Sequence, residues 1–238
     1  MRAGALIPGI GAATLAVGLL LVSAGEPQSA EMAAPVAVPA LRVDGEPATG
    51  PYAPLDECRM LPGFDAFRSG LFAAVENRDV DALVGLAHPA IKLDLGGGAG
   101  IDEFRRRLET DESLWGELDE LQHLGCASDN REDAVLPWIA TRAGGDTDPA
   151  LTYWVTGSGV AMLAAPDAAA TRVGSVDFDL VKTTGDEEPV DGFRQVATRD
   201  GTAKGYVAED KLRSIADYRL AMTRGPNGWM IDMFIAGD

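Results

Sequence analysis

The chain has 238 residues, of which 20 are Lys or Arg and 37 are Asp or Glu, giving a formal net charge of −17. An acid surplus of this size works against binding to nucleic acid or to an anionic membrane surface. No run of Lys and Arg overrides it locally, and the sequence holds only two Cys and two His for metal or thiol chemistry.

The chain opens MRAGALIPGIGAATLAVGLLLVSAGEPQSAE. One cation, Arg2, precedes an apolar run from about Ala12 to Val22, and Val22-Ser23-Ala24 and Gln28-Ser29-Ala30 offer small residues at a cleavage position. A membrane span needs ~20 apolar residues, so the pattern predicts a secretory signal over residues 1–24, with an uncleaved anchor as the alternative. Export then places the mature protein in the periplasm or outside the cell, with no membrane attachment after cleavage. Residues 25–54 are rich in Ala, Pro, Gly and Glu without a sustained period, which predicts a flexible linker and ordered structure from near Leu55.

Residues 55–150 predict a helical or α+β domain. Phe64, Phe67, Leu71 and Val75 form one helical face. Asp79 is placed to cap a second helix carrying Val80, Leu83 and Leu86, which His88-Pro89 ends. Ile91, Leu93 and Leu95 alternate as in a strand, and GGGAG at 96–100 is a turn. Ile101, Phe104 and Leu108 resume helical spacing beside Arg105-Arg106-Arg107, a basic cluster set among acids and read as a solvated face. Ser113 is expected to cap a last helix with Leu114, Leu118 and Leu121 inward and Gly125 as its stop.

From about Val135 the helical period disappears. Short β-type segments follow at 151–155, 159–163, 173–181, 193–198 and 205–207. Tyr218, Leu220 and Met222 then alternate with polar or small residues up to a Gly-Pro-Asn-Gly turn at 225–228. Beyond it Trp229, Ile231, Met233 and Ile235 alternate with Met230, Asp232 and Phe234, the strongest hairpin signal in the chain. The fold class is α+β: an N-terminal helical or α+β part, a small β-barrel at 151–214, and a C-terminal hairpin at 215–238.

Residues 158–214 resemble bacterial SH3-like domains. The features in order are Gly159-Val160-Ala161-Met162-Leu163 with Ala165-Pro166, Val173-Gly174-Ser175-Val176, Asp179-Leu180-Val181, Gly192-Phe193-Arg194-Gln195-Val196, the Asp200-Gly201 turn, and Gly205-Tyr206-Val207 with Leu212. The resemblance implies a small barrel and a binding module. Ala161 and Leu163 stand where members often carry Asn or Arg, and Phe193 and Tyr206 replace frequent Trp residues. A weaker resemblance, carried by the helix, Arg78-Asp79, helix, His-Pro, strand, Gly-rich turn and helix order and by the Gly-Trp hairpin, is to nuclear transport factor 2-like α+β domains. It implies that the SH3-like module is inserted and that the final hairpin returns to the first part. The alternative is a helical domain followed by one β-domain with an extra hairpin.

Two cysteines in an exported chain suggest one disulfide, Cys58–Cys126, with two buried thiols as the alternative. Catalytic signals are sparse: no metal-ligand spacing, no phosphate loop, and Thr156-Gly157-Ser158-Gly159 is not a strand-to-helix nucleophile elbow. No cofactor is expected. The predicted function is non-enzymatic: an exported cell-envelope protein whose module binds a peptide, a cell-wall component or a protein partner. The predicted contacts are Tyr153, Trp154, Phe193, Arg194, Lys204 and Tyr206, set against the possibility that the aromatics fill a small core. Two alternatives stay open. One is a small cell-wall hydrolase using a Cys126/His123 pair; the other is a structural barrel without a ligand. Asp232 either lines a pocket of the α+β part or lies on an exposed face.

Overall fold

The computed structural model describes residues 41–43, 46–145, 147–183 and 188–237. The expected signal segment and the first part of the expected linker lie outside the described residues. After a short pairing of β1 (Arg42–Val43) with β2 (Glu46–Pro47), a helical stretch begins. It comprises α1 (Phe64–Glu76), α2 (Val80–Gly85), β3 (Ala87–Lys92), α3 (Ile101–Thr110), α4 (Ser113–Leu121) and β4 (Asp133–Leu136).

Local chemistry sets these boundaries. Asp79 Oδ1 accepts from Ala82 N at 3.0 Å, the expected cap of α2. The cap of α4 differs from expectation: Ser113 is its first residue, and Asp111 Oδ1 accepts from Ser113 N at 3.1 Å. His88-Pro89 lies inside β3 rather than ending a helix, and β3 spans Ala87–Lys92 rather than 91–95. A proline is tolerated there because β3 is the edge strand of its sheet, with β13 as its one neighbouring strand. Arg105, Arg106 and Arg107 pair with Asp81, Glu103 and Asp94, so the basic cluster is a paired surface. Asp94 also accepts from Gly98 N at 2.8 Å and so closes the Gly-rich turn.

The final hairpin, β12 (Arg219–Gly225) and β13 (Gly228–Ile235), joins this first part. The sheet order is β3-β13-β12-β4, with β13 parallel to β3 and antiparallel to β12, and β12 antiparallel to β4. Helices α1 to α4 cover one face, and Phe64, Leu71, Phe104, Leu118, Met222 and Ile231 are among the side chains that fill the space between. Register shifts at Ala221/Met222, where Asp232 has no partner between Ile231 and Met233. This bulge turns the alternation over. Trp229, Ile231 and Phe234 are buried in the core, and Met230, Asp232 and Met233 are left half-buried, in place of the unbroken alternation expected. Asp232 therefore lies away from the helix-covered core.

The chain between β4 and β12 holds a second sheet, so the β-segments are an insertion between two neighbouring strands of the first sheet. Its strands are β5 (Thr152–Val155), β6 (Val160–Leu163), β7 (Arg172–Val176), β8 (Leu180–Thr183), β9 (Phe193–Thr198), β10 (Lys204–Ala208) and β11 (Leu212–Ser214). Their order is β11-β5-β8-β9-β10-β6-β7, antiparallel throughout. Val155, Met162, Val176, Val181, Val196 and Val207 form one core, so the sheet wraps around its own inner face. The edge strands β7 and β11 do not pair with each other, and the sheet is not the closed barrel expected. The bend passes through Gly205, where a Cβ would come within 2.9 Å of Leu163 O.

Order begins before Leu55. Ala48 is buried, Tyr52 N donates to Phe178 O at 2.8 Å, and Arg199 donates to the Tyr52 hydroxyl at 2.6 Å. Residues 46–56 are thus a strap laid on the inserted sheet, held by backbone bonds that composition does not announce. Ala48, Trp138, Ile139, Trp154, Phe178 and Leu180 form a third core, which the strap, the exit from β4 and the inserted sheet build together.

Candidate functional site

The predicted disulfide is present: Cys58 and Cys126 are bonded, with Cα atoms 5.7 Å apart and both residues buried. Backbone bonds on each side, Glu57 N to Cys126 O and Cys126 N to Leu55 O, both 2.9 Å, hold the two segments in register. Cys126 has no thiol, and a thiolate is the nucleophile in cysteine catalysis. A Cys126/His123 hydrolase would need this disulfide to be reduced. Asp56 lies within 4.8 Å of both sulfurs, but sulfurs bonded to each other leave it without partners for a metal.

Strand pairing divides the predicted contact residues between two faces of the inserted sheet. Arg194 opposes Val207 and Tyr153 opposes Val181, which puts both on the core face. The Arg194 guanidinium stands 4.8 Å from the Tyr153 ring centroid and forks onto Glu209, with Nη2 to Oε1 at 2.8 Å. The Glu209 hydrogen bond raises the Arg194 pKa against the opposing effect of burial. Phe193, Lys204 and Tyr206 share the outer face, since Phe193 opposes Ala208, Lys204 opposes Ala197 and Tyr206 opposes Gln195. Lys204 is exposed, and Phe193 and Tyr206 are half-buried. Trp154 is corrected from contact to core: it is fully buried, its ring centroid 5.9 Å from that of Phe178. The strap and the exit from β4 cover the outer face at this point, so the indole has no route to a ligand. The six residues do not form one surface.

A different feature lies where the insertion meets the helices. A cleft of about 570 Å³ opens between α4 and the connection from β10 to β11. Leu124, Phe178 and Leu212 border it, but Phe178 is fully buried in the third core and Leu212 opposes Val155 on the inner face of the inserted sheet. Its charged lining comes from both sides, Glu117 and Glu120 on α4 and Glu209, Asp210, Lys211, Arg213 and Asp217 on the other. Arg213 opposes Trp154 and so projects from the outer face toward α4. Its side chain is 5% exposed and is held by Glu120 at 2.6 Å, Glu117 at 3.1 Å and Tyr218 O at 3.0 Å. Asp217 stands 3.9 Å away. Burial raises the Glu117 pKa, and the nearby Asp217 charge adds to this against the pull of Arg213. A second cleft of about 390 Å³ is lined by Asp56, Arg68, Ser69 and Cys126, and His123 borders both clefts.

Glu57 anchors the joint. It accepts from Trp138 Nε1 at 2.9 Å, Arg142 Nη2 at 2.6 Å and Ser128 N at 3.1 Å. Burial works to raise its pKa, and the bonds from Arg142, Trp138 and Ser128 together outweigh it and bring the pKa down. Neither Glu57 nor the group around Arg213 carries a sequence signal. Glu117 and Glu120 flank the buried Leu114-Leu118-Leu121 face as any solvated acid would, and Arg213 is 93 residues from Glu120 along the chain.

No known protein family and no curated protein matches the chain. Three solved structures show a partial likeness. One is a ketosteroid isomerase-like protein from Erwinia carotovora atroseptica SCRI1043, 8% identical over 74% of this chain and 94% of its own, with a TM-score of 0.27. The second is a domain with a cystatin-like fold from Nostoc punctiforme PCC 73102, 8% identical over 74% of each chain, with a TM-score of 0.28. The third, from Streptomyces avermitilis, is assigned to the NTF2-like family, 12% identical over 73% and 92% of the two chains, with a TM-score of 0.26. One of the three is named as NTF2-like, and none as SH3-like. Scores this low do not establish a shared fold, and the α+β architecture above rests on this chain's own strand order.

Proposed function

We propose that the protein is an exported ligand-binding protein of the cell envelope, and that it binds its ligand in the cleft between α4 and β11. The observation that carries this reading is the cleft itself. It lies where an inserted sheet meets the domain that receives it, and charged groups from both line it. Export is supported by the intramolecular disulfide, a bond that persists in oxidising compartments. Among the described residues no helix is long and apolar enough to cross a membrane. The ligand is a peptide or a cell-wall component, in keeping with the SH3-like resemblance of residues 158–214, which belongs to this proposal. The reading is non-enzymatic, with the charged groups holding a ligand.

Titration of isotope-labelled protein with soluble peptidoglycan fragments tests the proposal. Amide shifts at Glu120, Lys211 and Arg213 are the expected result. Shifts confined to Phe193, Lys204 and Tyr206 would move the site to the outer face of the inserted sheet. The absence of shifts, together with no retention on intact peptidoglycan or on envelope peptides, would remove the binding function.

A further inference from the structure

We infer that Asp56 is an electrostatic guard of the Cys58–Cys126 disulfide, and that its carboxylate turns away anionic thiols. The guard is independent of the cleft between α4 and β11.

Backbone pairing puts the carboxylate beside the bond. Asp56 and Cys126 form an isolated parallel bridge, with Glu57 N donating to Cys126 O and Cys126 N to Leu55 O. The bridge sets the two side chains next to each other, and an Asp56 carboxylate oxygen lies within 4.8 Å of both sulfurs. Its charge is only partly balanced. Oδ2 accepts from Arg68 at 2.8 Å, but Arg68 also donates to Asp65 at 2.9 Å, so two carboxylates share one guanidinium. Oδ1 is buried and has no hydrogen-bond partner among the described residues. Burying a carboxylate oxygen without a donor works against the fold. The reason for an acid here therefore lies in what it does to the neighbouring sulfurs. Glu57, the acid next to Cys58 in the chain, is instead engaged by Trp138 at 2.9 Å and Arg142 at 2.6 Å.

Thiol exchange is sensitive to a charge at this place. A reagent thiolate attacks one sulfur, the S–S bond breaks, and the other cysteine leaves as a thiolate. A second reagent thiolate then attacks the mixed disulfide, releasing the second cysteine thiolate and the reagent's own disulfide. Two electrons pass from the reagent to the protein, and the cysteine thiolates take protons from solvent. Negative charge arrives on the attacking sulfur and departs on the leaving one, within reach of Asp56 whichever sulfur is attacked. Repulsion raises the barrier, most for a thiol that carries a carboxylate of its own and least for one that carries an ammonium. Burial of the sulfurs slows every thiol alike, because all need the same local opening. The carboxylate adds discrimination by charge.

The test uses the full chain in its native state and two reagents of opposite charge, cysteamine and mercaptopropionate, at low ionic strength. Loss of the disulfide is followed by alkylation and intact mass. Each rate is divided by that thiol's rate on hydroxyethyl disulfide, an uncharged reference, and the readout is the ratio of cysteamine to mercaptopropionate. Local opening and any loosening of the fold change both rates together and cancel in this ratio. The wild type is expected to favour cysteamine by about tenfold, and Asp56→Asn to bring the ratio close to one. Arg68→Gln removes the same ion pair but keeps the carboxylate, so its ratio is expected to stay high. A ratio near one in the wild type would overturn the inference. So would a high ratio that Asp56→Asn leaves unchanged, which would assign the preference to the acidity of the whole chain. Loss of the preference in Arg68→Gln would overturn it by assigning the effect to the ion pair. No reaction of either thiol with the native protein would overturn it by leaving burial as the whole protection.

Discussion

Asp232 reverses the side-chain order of the last strand. Met230, Asp232 and Phe234 share one phase of the sequence, yet Phe234 enters the core while Asp232 does not. A bulge is set by pairing with β12, and a one-residue slip changes every later facing, so alternation alone could not place Phe234. Glycines show the opposite case. At Gly205 a Cβ would come within 2.9 Å of Leu163 O, and the Asp200-Gly201 turn named in the sequence forms between β9 and β10 with Gly201 at φ +70°. Asp200 accepts from the Thr198 hydroxyl and from the Thr202 backbone and hydroxyl, which holds its pKa at about 2. Gly50 has no such sequence signal: its φ is +126° and a Cβ would stand 1.8 Å from Asp177 O. Gly50→Ala is therefore expected to destabilise the protein by about 1–3 kcal/mol by lifting the strap. Gly70→Ala, on the exposed side of α1 with open space around it, is expected to stabilise by about 0.5–1 kcal/mol. Urea midpoints for the two variants check both signs.

At the scale of elements, α1, α2, α3 and α4 were legible because apolar spacing is local, as is the Asp79 cap of α2. The strap was not, because its order comes from contacts with the inserted sheet and its turns more than 100 residues later, such as Thr49 with Ser158. The disulfide was legible from compartment logic, and it closes a loop with a sequence separation of 68 residues. Its sulfurs are buried, so reductant alone is expected to act slowly on the native protein. Once it is reduced in denaturant and refolded, stability should fall by ~4 kcal/mol in the chain-entropy account. An unchanged urea midpoint would show that the bond contributes nothing. The clasp between α4 and β11 gives a pH dependence. Glu117 has a raised folded pKa, so the folded state holds its proton more tightly than the unfolded chain. Its contribution is present below the ordinary value of 4.5 and is lost as pH rises through the raised value. Glu57, Asp94, Glu103 and Asp200 have lowered values and lose their contribution only as pH falls through them. As pH falls from 7.5 toward 4.5, Glu117 is thus expected to make the wild type relatively more stable at the lower pH. Glu117→Gln should reduce that difference in thermal midpoint. A difference of the same size in the variant would assign the dependence to other groups.

At the scale of the whole molecule, the insertion decides where a site can form. The terminal hairpin pairs with both β3 and β4, so the inserted sheet leaves and re-enters the chain beside one strand pair. This tethers the outer face near β5 and β11 against α4, covers Trp154, and leaves a cleft beside Arg213. The sequence signalled the hairpin and the two parts. It could not signal the cleft, because Glu117 and Arg213 meet only when the insertion docks, 96 residues apart in the chain. The predicted contact residues are divided between two faces because alternate residues face opposite sides, and docking hides Trp154.

Hydrogen exchange of the full chain, with and without soluble peptidoglycan fragments, tests the central claim most directly. The account predicts added protection on both walls of the cleft at once, in residues 113–124 and 209–217. Protection confined to residues 193–206 would contradict it.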